Sequence, residues 1–160
     1  MEQRHERVLT IKDSGERTEF ATGAVRDMQK GKGRCDLLPL DVAAEFLTDP
    51  NGREDYILKD IYYFQQTGKT EFLFDALCDF CDIRGWDRKT MLLELSKHFE
   101  NGAEKYGENN WQKGLPVSCY INSAVRHYLK WLRGDDDEPH DRSFCWNLIC
   151  CVWTRRHISE

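Results

Sequence analysis

The chain has no run of apolar residues approaching the roughly 20 that a membrane-spanning helix needs. Its opening stretch, MEQRHERVLTIKDSGERTEF, is far too polar for the secretory core of about 7–15 apolar residues that export uses. The expectation from both absences is a cytoplasmic protein with no membrane partner. An excess of basic charge is also missing: 23 Lys and Arg stand against 28 Asp and Glu, a formal net charge of −5. That argues against duplex nucleic acid as a partner, since its binding rests on phosphate neutralisation by a basic surface. A small phosphorylated ligand is not excluded, because a bound divalent cation can neutralise phosphate and carboxylate together.

Two familiar motifs are absent as well. Gly68-Lys69-Thr70 looks like the end of a P-loop, but the glycine required five positions before its second glycine is replaced by Tyr63. The segment upstream of it also reads as helix rather than strand. Zinc-site spacing is missing too: Cys78-Asp79-Phe80-Cys81 is a CxxC with no second CxxC and no histidine pair behind it. The seven cysteines are odd in number, which with no export signal predicts reduced thiols. The CxxC lies inside FLFDALCDFC, where cysteine serves as a small buried hydrophobe, and metal or redox use is the alternative. Serine or cysteine nucleophiles have no discriminating signal.

What is present is a chain of 160 residues, 40% apolar and 32% charged, long enough for one domain spanning 1–160. Residues 1–22 are polar, with Val8-Leu9-Thr10-Ile11 as one short candidate strand. A loop rich in glycine and basic residues follows, TGAVRDMQKGKGRCDLLP, with Arg26, Lys30, Lys32 and Arg34 between Gly23, Gly31 and Gly33. Its backbone N–H groups and basic side chains could cradle phosphates; the alternative is a solvated linker. Helical periodicity then predicts segments over about 38–47, 54–66, 69–83, 88–106, 118–133 and 140–154. Asp87 is the expected N-cap of the fourth. Leu92, Leu95, Phe99, Ala103 and Tyr106 mark its inward face; Ile121, Val125, Leu129 and Leu132 do so for the fifth, and Phe144, Leu148 and Val152 for the sixth. The predicted fold is all-α: a helical bundle of about five or six helices behind an irregular, glycine-rich N-terminal segment.

Glu100 and Glu104, four apart, stack on one helix face roughly 6 Å from each other. Glu138-Pro139-His140-Asp141 places a second carboxylate pair at the start of the last helix, after the acidic run Gly134-Asp135-Asp136-Asp137. Two carboxylate pairs on facing segments suit hard divalent cations such as Mg²⁺ or Mn²⁺. The plainer alternative is a solvated helix face and a solvated turn with Asp141 as a cap. His140-Asp141 also evokes the dyad of HD-type phosphohydrolases, with His98 or His127 as the upstream histidine.

Particular strings carry a resemblance. TGAVRD, then GKGR-x-DLLP, then KHFENGAEKYGENNWQKGLP, then SAVRHYLKWLRGDDDEPHDRSFCWN occur here in that order. Together they resemble the phage and prophage dATP/dGTP diphosphohydrolases, a family related to the MazG-type all-α NTP pyrophosphohydrolases. The resemblance covers about residues 20–41 and 92–154, and residues 43–90 look like a helical insertion. It implies metal-dependent hydrolysis of purine deoxynucleoside triphosphates, dGTP or dATP, to the monophosphate and pyrophosphate. It implies Glu100, Glu104, Glu138 and Asp141 as holders of Mg²⁺ or Mn²⁺, with Glu138, His140 and Asp141 as the catalytic group. Arg26, Lys32, Arg34 and Lys105 are expected to neutralise the phosphates, and Asn110 and Trp111 to meet the sugar or base. His127 is expected on the substrate side, and a homo-oligomer is the implied assembly. Relatives carry a second histidine three residues after the one matching His140, where this chain has Ser143. The alternatives are an HD-type phosphohydrolase and a non-enzymatic, phage-encoded helical interaction module.

Overall fold

A computed structural model describes residues 12–158 of the chain. The candidate strand at 8–11 lies outside those residues. Two three-residue strands, β1 (Arg17–Glu19) and β2 (Val25–Asp27), pair antiparallel with Thr18 opposite Arg26. The glycine-basic segment is thus neither a free linker nor wholly a loop: its first third is pinned as a ribbon. Six α-helices follow: α1 (Leu40–Phe46), α2 (Tyr56–Thr67), α3 (Glu71–Arg84), α4 (Arg88–Tyr106), α5 (Val117–Arg133) and α6 (His140–His157). Short 3₁₀ turns at Cys35–Leu37 and Asn110–Lys113 precede α1 and α5. None of the described helices is long and apolar enough to cross a membrane.

The helix ends follow from local chemistry. The carboxylates of Asp55 and Asp87 accept hydrogen bonds from the backbone N–H of Leu58 and Thr90, starting α2 and α4. Gly68 ends α2 at φ 70° and Gly134 ends α5 at φ 87°, both left-handed conformations that a Cβ would strain. At Gly68 a Cβ would also stand 2.8 Å from the guanidinium of Arg155.

α5 and α6 form the most extensive helix pair, and α2 and α3 the next. Phe80 of α3 joins the two pairs: its ring lies 4.6 Å from Phe144, 4.9 Å from Trp131 and 6.2 Å from Tyr128, centroid to centroid. Each such aromatic contact adds about 0.5–1.5 kcal/mol beyond the area it buries. Leu92 and Leu132 depart from the expected inward faces and are exposed. α4 turns Met91, Leu95 and His98 inward instead. Leu132 sits in the last turn of α5, where the chain leaves the helix pair at Gly134.

Candidate active site

A cavity of about 820 Å³ opens between the ribbon, the second half of α4, α5 and the start of α6. Arg26, Lys32, Lys105, Asn110, Trp111 and His127 line it, as do Glu100 and Glu138. Residues far apart in sequence are brought together here, Lys12 and Glu138 across 126 positions. Arg26 Nη2 donates to Asn147 Oδ1 at 2.7 Å, and the Asn147 amide donates to the Ser143 carbonyl at 2.8 Å. The Arg26 guanidinium also lies over the rings of Tyr120 and Trp146.

Four sequence-derived candidates are not among the lining residues: Arg34, Glu104, Asp141 and the buried His140. Arg34 forks onto Asp36 through two 2.8 Å bonds, away from the cavity lining. Glu104 is exposed on α4 and does not line the cavity. Asp141 accepts from Arg84 Nε at 2.8 Å and caps the backbone N–H of Arg142 at 2.7 Å. The His140–Asp141 dyad is therefore not assembled as a unit. Asn110 spends its amide on the backbone of Val25, accepting from its N–H at 2.9 Å and donating to its carbonyl at 2.7 Å. It clamps β2, and hence Arg26, onto the turn before α5. Trp111 packs edge-on against Trp153 and Phe99.

The chemistry concentrates at the start of α6. The ligand-capable atoms of His127, Glu138 and His140 lie within 4.8 Å of one another, and so do those of Asp135, Asp137 and His140. Glu100, Glu104 and Asp141 enter neither group. His140 is buried; its Nδ1 is 2.9 Å from His127 Nδ1 and its Nε2 is 2.7 Å from Asp137 Oδ1. Burial, the neighbouring His140 and the charge of Arg126 push the His127 pKa well below the ordinary value, so it is neutral at physiological pH. Lys12 straps this corner: its backbone N–H donates to Glu138 at 2.7 Å, its ammonium meets Asp137 at 2.5 Å, and its carbonyl accepts from Lys105 at 2.6 Å. The Asp137 carboxyl is held low by Lys12 and then by His140.

Positive charge is left over on the other wall. Arg126 is only 8% exposed, and it bonds Asn122, Ser123 and Gln29 but no carboxylate among the described residues. Arg26 likewise has no carboxylate partner among them. Burial lowers the pKa of Arg126 and of Lys105, the cost of holding a cation away from water. Asp27 is drawn downward although burial opposes it, by Ser14 and by Lys32, whose ammonium is 3.3 Å away. His98, its ring tilted against that of Trp146 at 5.2 Å, is pushed down to about 3 by burial and by Arg142 and Arg26.

Several of these residues carried no individual signal in the sequence. Asp137 was one acid in a run of acids, and Ser143 and Asn147 were polar residues inside an apolar helix. Their burial on α6 was the missing information, although Asn147 closes the CWN string of the resemblance. Residues 85–159, just under half of the chain, match the family model described as dATP/dGTP diphosphohydrolase, N-terminal. This match, running from the end of α3 through α6, supports the family named by the resemblance. No curated protein and no solved structure gives a match.

Proposed function

From a chain whose residues 85–159 carry the dATP/dGTP diphosphohydrolase domain match, we propose metal-dependent hydrolysis of a purine deoxynucleoside triphosphate to the monophosphate and pyrophosphate in this cavity. The observation that carries the reading is the pair of arginines without carboxylates. A buried cation is costly unless an anion compensates it, and a polyphosphate is an anion of the right size and charge. Lys32 and Lys105 extend that cationic wall toward the strap at Lys12.

The donor set at the opposite corner fits a divalent cation. Two imidazoles and one carboxylate, from His127, His140 and Glu138, favour Mn²⁺ over Mg²⁺, which prefers oxygen alone. Bound there, such an ion supplies an activated water and neutralises phosphate charge. The protein's own residues do the rest. Arg126 and Arg26 hold the triphosphate, so the scissile bridge is presented between their wall and the Glu138 corner. His127, kept neutral by its surroundings, keeps a lone pair available at every physiological pH. The rings of His98, Trp146 and Trp111 supply flat surfaces for a base.

The test is product analysis of dGTP, dATP and dCTP incubated with Mn²⁺. Pyrophosphate and a purine monophosphate are expected, whereas release of intact triphosphate would favour the HD-type alternative and overturn this reading. Arg126→Ala should lower kcat/KM by about 10–100-fold, the usual worth of a charged hydrogen-bonding group. An unchanged value would remove the anion wall from the reading.

A further inference from the structure

His140 is held from both sides by groups whose roles can be worked out from hydrogen-bond inventory alone. Its side chain has no exposure, and its Nε2 lies 2.7 Å from Asp137 Oδ1. The other oxygen of that carboxylate receives the Lys12 ammonium at 2.5 Å, so Asp137 is an ionised acceptor with nothing to donate. The proton between Asp137 and His140 therefore belongs to Nε2. A neutral imidazole carries one N–H, which leaves the His140 Nδ1 as a lone pair facing His127 Nδ1 at 2.9 Å. Without a cation, His127 must donate across that gap.

We infer that Asp137 is a positioning residue that locks His140 in its Nε2–H form, so that the Nδ1 lone pair stands ready beside His127 and Glu138 for a divalent cation. Carboxylates that hold the far nitrogen of a ligating histidine tune such sites by about 10–100-fold in metal affinity. The two Nδ1 atoms already stand at a suitable spacing, since neighbouring donors roughly 2.1 Å from one ion sit about 3 Å apart, and a turn of the rings aims both lone pairs at the ion. The histidines behave differently on binding. His140 keeps its tautomer, while His127 gives up its Nδ1 proton and carries its proton on Nε2. No net proton is gained or lost. The tautomer of His140 stands independently of the proposed activity; its consequence for the cation rests on the metal reading above.

The experiment is a long-range ¹H–¹⁵N correlation spectrum of the full chain at pH 8, without metal and then with Zn²⁺ as a diamagnetic probe. The expected metal-free spectrum has His140 as Nε2–H and His127 as Nδ1–H, and Zn²⁺ switches His127 alone. Asp137→Ala should leave the helical circular dichroism unchanged, mix the tautomers of His140, and weaken Mn²⁺ affinity, read by electron paramagnetic resonance, by about 10–100-fold. Asp137→Asn, which keeps an acceptor oxygen, should restore the Nε2–H signature and part of the affinity. Lys12→Ala should leave the tautomer intact. His140 found as Nδ1–H or doubly protonated in the wild type overturns the inference. An Asp137→Ala variant with unchanged spectrum and affinity overturns it too. If the tautomers are as stated and dNTPs are not hydrolysed, the proposed activity fails while the positioning role stands.

Discussion

The two helix pairs of this protein bury opposite kinds of residue. α2 and α3 bury only apolar groups: Ile57, Leu58, Ile61, Phe64, Leu73, Ala76, Leu77, Phe80 and Cys81. α5 and α6 bury Asn122, Ser123, Arg126, His140, Arg142, Ser143, Asn147 and Thr154 among their apolar residues. A buried polar group costs free energy unless it is partnered, so a helix pair built only for stability would not carry eight of them. Two of them, Arg142 at Nε and Ser143 at its hydroxyl, keep a buried atom unbonded among the described residues, and around them the Trp146 indole N–H, His98 Nδ1 and Arg26 Nη1 do the same. The family match starts at residue 85, where the apolar pair ends. One pair supports; the other pays stability for a site.

That contrast can be broken or sharpened in three ways. The largest expected effect is in the polar pair. Glu138→Gln should reduce metal-dependent turnover by about a thousandfold, since a catalytic ion contributes several kcal/mol. Helical content should be unaffected, and near-normal turnover in this variant would detach Glu138 from the chemistry. Next is the apolar pair: Phe80→Ala should cost about 3–5 kcal/mol, visible as a fall in Tm. Turnover per folded molecule should persist, because Phe80 touches the site only through Phe144 and Tyr128. Loss of turnover in material shown to be folded would mean the supporting pair also shapes the site.

The smallest and most diagnostic difference is in the response to pH. His98 titrates at about 3 in the folded chain against an ordinary 6.5, so below pH 6.5 the unfolded chain takes a proton that the folded one refuses. The polar pair and its neighbour α4 therefore lose stability as pH falls from 6.5 toward 3. Asp60 on α2 behaves in the opposite sense. Burial, and then Asp79 and Asp75, raise it from 3.8 to about 7. The folded chain keeps a proton that the unfolded one releases, and stability drops as pH rises from 3.8 through 7. Asp60→Asn should accordingly raise Tm at pH 8 and leave it unchanged at pH 3.5. Equal increments at both pH values would show that the acidic face of α2 and α3 carries no such strain.

Much of the helical layout was legible beforehand. The fourth helix, with its Asp87 cap, runs over the expected residues, because a capping carboxylate and a glycine stop are local signals. The six residues expected on the substrate side that line the cavity are basic, amide, aromatic or imidazole side chains in strings of the resemblance. Leu92 and Leu132 were misjudged, since periodicity places a stripe on a helix without saying how far around the neighbour reaches. Arg34, Glu104 and Asp141 fitted a motif by spacing, yet their side chains lie away from the cavity lining, one on Asp36 and one on Arg84.

By itself, then, the amino-acid order determined the approximate helix spans and the Asp87 cap, and carried the strings of the family resemblance, because each rests on short-range pattern. Which carboxylate meets which histidine was decided only by tertiary structure. Asp137 stands beside the candidate residues in sequence and is indistinguishable from Asp135 and Asp136 there. The turn from Gly134 into α6 delivers it to His140, and the packing of α5 on α6 brings His127 to the other side of that ring. Local chemistry names the residues that can bind; the crossing of two helices selects the ones that face each other.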